Sequence, residues 1–165
     1  MSVWKMIYSK VSTNDFVMSC GISLASRCHL CCAAIESFQH FFFYCKFFKC
    51  LWKWLMNKFN LSINPNSIVG WLDFCCHNKA HQASLVLCVE VINMLVKIWK
   101  TRNMVKHNKH LITPAIVIDW IMHQVKMSGN STSKAANISM LDFYFIKVCK
   151  VNILPPKAPS IKEVI

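Results

Sequence analysis

Acidic side chains are few in this sequence: seven Asp and Glu stand against nineteen Lys and Arg, a formal charge of +12. They are also scattered singly, as Asp15, Glu36, Asp73, Glu90, Asp119, Asp142 and Glu163. No carboxylate cluster is expected that would hold the paired metal ions of polymerase or nuclease chemistry. Only three glycines occur, which leaves no Gly-rich loop to cradle a phosphate at a helix start. A clean apolar run is missing as well. The longest, ASLVLCVEVINMLVKIW at 83–99, is interrupted by Glu90, Asn93 and Lys97, short of the ~20 residues that a bilayer span needs. The amino-terminal MSVWKMIYSKVSTNDF has no apolar stretch behind a basic start and does not read as a secretory signal. The expectation is a nuclear or cytoplasmic chain without a membrane crossing, its ten cysteines reduced.

What is present is greasy and basic. With 55% hydrophobic residues in 165 there is enough to fill a core, and the charge favours polyanionic partners, nucleic acid first and anionic membrane second. Phe47, Phe48, Leu51, Trp52, Leu55, Met56 and Phe59 recur at helical spacing, with Lys46, Lys49, Lys53 and Lys58 largely between them. That pattern predicts an amphipathic helix with a basic outer face. NLSINPNSIVGW breaks it. A second helix carries the stripe Leu85, Cys88, Ile92, Leu95 and Trp99, facing a core or a partner helix, and runs to about Val105. Thr113 and Pro114 offer an N-cap and a first-turn proline for a third over 115–127. SGNSTSKAAN then reads as a flexible linker. After the short apolar MLDFYFIKVC, the prolines of VNILPPKAPSIKEVI predict an extended connector.

The segment CHLCCAAIESFQHFFFYC, residues 28–45, holds the most specific pattern. Cys28, Cys31, His40 and Cys45 read C-x2-C-x8-H-x4-C, a set of soft and borderline donors that suits tetrahedral zinc. Two residues between the first cysteines let backbone amides point at the thiolates while both sulfurs reach one ion. The competing reading is that these cysteines are small apolar fillers. Cys32 could replace Cys31 only through a longer turn. Cys75, Cys76, His77 and His81 lack a second C-x2-C and read as a surface region with incidental histidines rather than a second site. A thiol nucleophile beside His29 lacks the oriented base that catalysis needs.

These residues carry a resemblance. GISLASRCHLCCAAIESFQHFFFYCKFFKCLWKWL is similar to the zinc-binding domain that follows the polymerase in plant LINE-type (non-LTR) retrotransposon reverse transcriptases. The matching positions are Gly21, Cys28, Cys31, Glu36, Ser37, His40, Phe42, Phe43, Cys45, Leu51 and Trp52. Cys20 stands where that family usually has arginine, and Phe41 where it usually has leucine. Upstream, VWKMIYSKVSTNDFVMSCGI resembles the family's lead-in, with Ser12 and Thr13 at its turn. Downstream, IWKTRNMVKHN resembles an Ile-Trp-x-x-Arg-Asn signature between the zinc domain and a ribonuclease H-like domain, and PPKAPSIKEVI resembles the linker into that domain.

The fold expected is mainly α: a small helical domain nucleated by a zinc knuckle, then amphipathic helices and an extended C-terminal linker. Its divisions are 1–60 for the zinc-binding domain, 61–127 for a helical region, and 128–165 for a flexible linker and truncated approach to a ribonuclease H-like domain. Zn2+ is the expected cofactor, on Cys28, Cys31, His40 and Cys45. Non-specific RNA or DNA is the expected partner, with Lys46, Lys49, Lys53 and Arg102 as phosphate contacts and Trp54 as a stacking face. An ordinary solvated basic face is the bland alternative. No catalytic residue is assigned. Two other readings stay open: an interaction module docking on polymerase or ribonuclease H domains, and a relic without activity.

Overall fold

The computed structural model describes residues 3–23, 27–62, 66–77, 81–108, 112–132, 135–136 and 139–155. Its helices are α1 (Val3–Ile7), α2 (Asn14–Ser19), α3 (Lys46–Phe59), α4 (Ile68–His77), α5 (His81–Asn108), α6 (Pro114–Asn130) and α7 (Met140–Val148), with a π-helical turn at His40–Tyr44. Among the described residues the only β pairing is an isolated antiparallel bridge between Arg27 and Ile35. The protein is mainly α.

α3 forms as its periodicity dictates, burying Phe48, Leu51, Trp52, Leu55 and Phe59. Asn60 stops it in the left-handed region at φ 49°, a conformation asparagine tolerates. α4 is not foreshadowed by the sequence pattern. It starts where the Ser67 hydroxyl accepts the Gly70 amide at 3.0 Å, an N-terminal cap. Ile68, Trp71 and Cys75 then form its buried face, and the Trp71 ring stacks on Trp52 at 4.7 Å and 21°.

α5 is the axis on which α4, α6 and α7 pack. Val86, Leu87, Val91, Met94, Leu95 and Ile98 are all buried, so its apolar surface wraps far around the helix, as in one with neighbours on several sides. By length and composition α5 could also cross a membrane. Of the expected stripe, Leu95 is buried, Cys88, Ile92 and Trp99 are half-buried and Leu85 is exposed. α6 begins at Pro114, behind an extended Thr113 at φ −93° and ψ 154°. Val117, Ile121, Val125 and Gly129, four residues apart, form its buried row.

The expected end of α6 and the linker beyond it are revised. α6 runs to Asn130, and α7 buries Phe145 and Ile146, with Phe145 on Phe59 at 4.9 Å. MLDFYFIKVC is a short apolar run, and periodicity does not assign such a run to helix or linker. Beyond α7 the Leu154 carbonyl accepts the Ala136 amide at 2.7 Å, and Gln82 bonds the Asn152 carbonyl at 2.8 Å and the Leu154 amide at 3.2 Å. Of the expected connector over 151–165, residues 156–165 lie outside the described residues.

Lys58 is not on the basic outer face. Its ammonium pairs with Glu90 of α5, their side chains 8% and 0% exposed, and lies 2.9 Å from Met122 Sδ of α6. The Cys149 thiol donates to the second Glu90 oxygen at 3.1 Å; burial, then the Glu90 charge, push that thiol's pKa up and keep it a neutral donor. Breaking such a pair from one side leaves a buried charge uncompensated. Lys58→Met is therefore expected to cost ~3–5 kcal/mol in chemical denaturation, with most of the loss recovered in Lys58→Met/Glu90→Leu. A double variant no more stable than the single one would refute the pairing.

Candidate metal centre

The knuckle is built by backbone geometry before any side chain acts. Around the Arg27–Ile35 bridge the Cys28 amide donates to the Ala34 carbonyl at 2.9 Å, and the Cys32 amide returns to the Cys28 carbonyl at 2.9 Å. Cys32 closes the turn in the left-handed region, φ 51°. The Leu30 and Cys31 amides favour the charged form of the Cys28 sulfur. On the other side, the Cys45 amide donates to the His40 carbonyl, five residues back, at 2.6 Å. That bond closes the π-helical turn, a geometry that recurs at functional sites. It sets His40 and Cys45 toward the same point. Cys45 then leaves the helical region at φ −60° and ψ 128° to stand at the N-cap position of α3, its side chain making no cap hydrogen bond.

Four side chains converge here. The ligand atoms of Cys28, Cys31, His40 and Cys45 all lie within 4.8 Å of one another. Cys28 Sγ and Cys45 Sγ are 3.8 Å apart, and Cys31 Sγ and His40 Nε2 are 3.3 Å apart. Sulfurs around a tetrahedral zinc with Zn–S bonds of ~2.3 Å stand ~3.8 Å apart, so the donor set and spacing fit that ion. Cys28 and Cys45 are buried, Cys31 and His40 half-buried. The two buried thiols act as a unit. A hydrogen bond from Cys45 draws the Cys28 pKa down to about 4, against the opposing effect of burial, while the same bond and burial push Cys45 up. The bond between them favours the thiolate form at Cys28, the form that binds cations.

Other sulfurs stay outside. Cys32 is exposed, its sulfur 3.9 Å from the His29 carbonyl. Cys75 is buried, and the neighbouring Cys88 of α5 and burial push its pKa up. Cys76 and His77 are exposed, and His77 turns back onto Asp73 at 3.0 Å. The His81 side chain lies outside the described residues.

Nothing in the local sequence points to what anchors the knuckle. Glu36, fully buried, pairs with Arg102 of α5, itself 4% exposed. The guanidinium Nε lies 3.1 and 3.2 Å from the two Glu36 oxygens. Its other nitrogens donate to Asn14 Oδ1 at 3.3 Å and Asn103 Oδ1 at 2.9 Å. Asp15 accepts the Phe38 amide at 2.9 Å, and Ser37 Oγ accepts the His40 amide at 3.1 Å. Trp99 meets Phe41 edge to face at 6.1 Å. Asn14 and Asp15 are positioning residues that sequence reasoning misses. Glu36–Ser37 and Arg102–Asn103 belong to separate motifs in the sequence, and the structure joins them.

Arg102 is accordingly corrected as a phosphate contact, because its guanidinium is buried and taken up by Glu36 and Asn14. Lys46, Lys49 and Lys53 are exposed on α3. Trp54 is half-buried against the core, with the Lys58 ammonium 4.8 Å above its ring; that leaves less of it for stacking than expected.

Residues 1–52, which include all four converging side chains, match the family described as zinc-binding in reverse transcriptase. No curated protein and no solved structure matches the chain.

Because Glu36 sits inside the knuckle, Arg102→Met is expected to destabilise the protein by ~3–5 kcal/mol. It should also speed metal release to a chelator, although no ligand is altered. Lys49→Met is the surface control, expected to change neither. Denaturation curves and dye-detected release measure both, and an Arg102 variant indistinguishable from that control would show that the pair does not anchor the knuckle.

Proposed function

We propose that the chain is a structural zinc-binding, non-specific nucleic-acid-binding fragment of a reverse transcriptase of the plant LINE-type (non-LTR) retrotransposon class, without a catalytic site of its own. The observation that carries this reading is the convergence of Cys28, Cys31, His40 and Cys45 within the segment that matches the zinc-binding family. An ion held by four protein donors has no open position for substrate, and its contribution is to folding. The acids support the absence of catalysis. Asp15, Glu36 and Glu90 are engaged with backbone amides, Arg102 and Lys58, and among the described residues no carboxylate group gathers as a metal site.

Charge supports the partner. Lys46, Lys49 and Lys53 project from one exposed side of α3, and among the described residues none has a carboxylate within 4.0 Å. The interaction-module reading rests on the α5 stripe, most of which is at least half-buried within the fold.

Two outcomes test the reading. Native mass spectrometry at neutral pH is expected to show one zinc per chain. The ligands bind as thiolates and neutral imidazole, so protons compete and the ion is released as pH falls. Cys45→Ser should unfold the region around 20–55, whereas Cys75→Ser should be mild. Equal effects from the two, or a folded metal-free protein, would overturn the assignment.

Nucleic-acid affinity is expected to fall steeply with salt, since each neutralised phosphate releases counterions. Reversing Lys46, Lys49 and Lys53 to glutamate should weaken binding to all sequences alike and flatten the salt slope by about one unit for each phosphate no longer neutralised. Titrations of labelled oligonucleotides at several salt concentrations measure this, and an unaltered slope would return α3 to ordinary solvated surface.

A further inference from the structure

Beside the knuckle the surface opens into a cleft of about 400 Å³, within the ~300–1,000 Å³ of small-ligand sites. Its walls come from the π-helical turn, α3 and the start of α4. Phe43, Trp52 and Trp71 form its inner side as a run of near-parallel rings, Phe43 on Trp52 at 5.7 Å and 16°, Trp52 on Trp71 at 4.7 Å and 21°. All three are buried, so the inner wall is rigid. Tyr44 is the opposite case: its ring lines the cleft yet is 48% exposed. Lys49 and Lys53 line it too, the Lys49 ammonium 5.8 Å from the Tyr44 ring centroid. Among the described residues no carboxylate lines the cleft.

We propose that this cleft takes one unstacked base of a single-stranded nucleic acid, with Tyr44 as its stacking face and Lys49 and Lys53 on the flanking phosphates. The inference deepens the proposed function and rests on it, placing the stacking ring at Tyr44 instead of Trp54. Three features favour this occupant. An aromatic slot accepts any base, because every base has a π face. Ammonium groups at its edge match the phosphates on either side of that base. The lining residues carry no negative charge to repel them. A peptide would share the apolar slot but leave the lysine pair unmatched unless it were acidic.

The test uses the full, metal-loaded chain and three probes of equal length and charge: a single-stranded oligonucleotide, the same strand with abasic sites, and a self-complementary hairpin duplex. The base-bearing single strand is expected to bind more tightly than both others. Tyr44→Ala removes an exposed ring and leaves the buried rings in place. It is expected to lower single-strand affinity roughly five- to 150-fold, the ~1–3 kcal/mol of a lost base stack, with the salt slope unchanged. Tyr44→Phe should restore it. Lys49→Gln/Lys53→Gln should flatten the slope by about two units and still prefer bases over abasic sites. If the chain binds with a steep salt dependence but does not distinguish abasic strands, and Tyr44→Ala is silent, the cleft proposal fails while nucleic-acid binding stands. If no probe binds even at low salt, both fail, and the cleft is left to an acidic peptide.

Discussion

A buried carboxylate facing a single guanidinium fixes where the knuckle sits. Glu36 is fully shielded from solvent, and Arg102 reaches it from a helix 66 residues further along the chain. Taking both charges out of water is costly and is repaid only with good geometry and further hydrogen bonds. Those bonds are present, in Asn14 and Asn103. The pair therefore contributes placement more than net stability. Arginine suits this position because its planar fork serves a carboxylate and two side-chain amides together; a lysine ammonium lacks that shape. The segment that matches the zinc-binding family ends at residue 52, but a partner that seats its knuckle lies on α5. In this fold the candidate metal centre is a knuckle with a distant helix under it.

α5 needs such partners. A helix that is apolar on most sides packs well in several rotations, and apolar burial alone does not choose among them. Glu90 and Arg102 do. They lie twelve residues apart, about 18 Å along the axis at 1.5 Å per residue. One pairs with Lys58 of α3, the other with the knuckle. Because Cys45 stands at the N-cap of α3, the helix that carries Lys58 starts at the converging tetrad. We read the two buried pairs as a register device: a slip or rotation of α5 would strand both charges at once.

The four converging side chains are legible in the sequence because their chemistry is local. All four residues lie within 28–45, and the C-x2-C turn carries its own amide geometry. α3, α5 and α6 are legible from their period. α4 is hidden by Gly70 and by the turn-rich stretch before it, although Ile68, Trp71 and Cys75 carry a helical step. α7 is a single apolar burst, too short for a period to arbitrate. The charged residues mislead most. Sequence supplies a charge without its partner, so Arg102 reads as a phosphate contact and Lys58 as part of the basic face. For Lys58 a local clue exists: it follows Leu51 by seven residues and Leu55 by three, on the buried side of the same helix. For Arg102 there is none, since Glu36 is remote in the chain.

Pairing inside the fold also shapes the outside. Each buried pair withdraws one acid and one base, so the net charge is unchanged, but a chain with seven acids cannot lose Glu36, Glu90 and the buried Asp142 without thinning its negative surface. Among the described residues Asp73 and Asp119 are the exposed carboxylates, and Asp73 is already beside His77. Lys46, Lys49 and Lys53 are thus left to solvent and counterions, the condition under which exposed cations attract a polyanion most strongly. The aromatic cleft opens beside two of these lysines, on the helix whose N-cap position is Cys45. The scarcity of acids is therefore what leaves this face unneutralised.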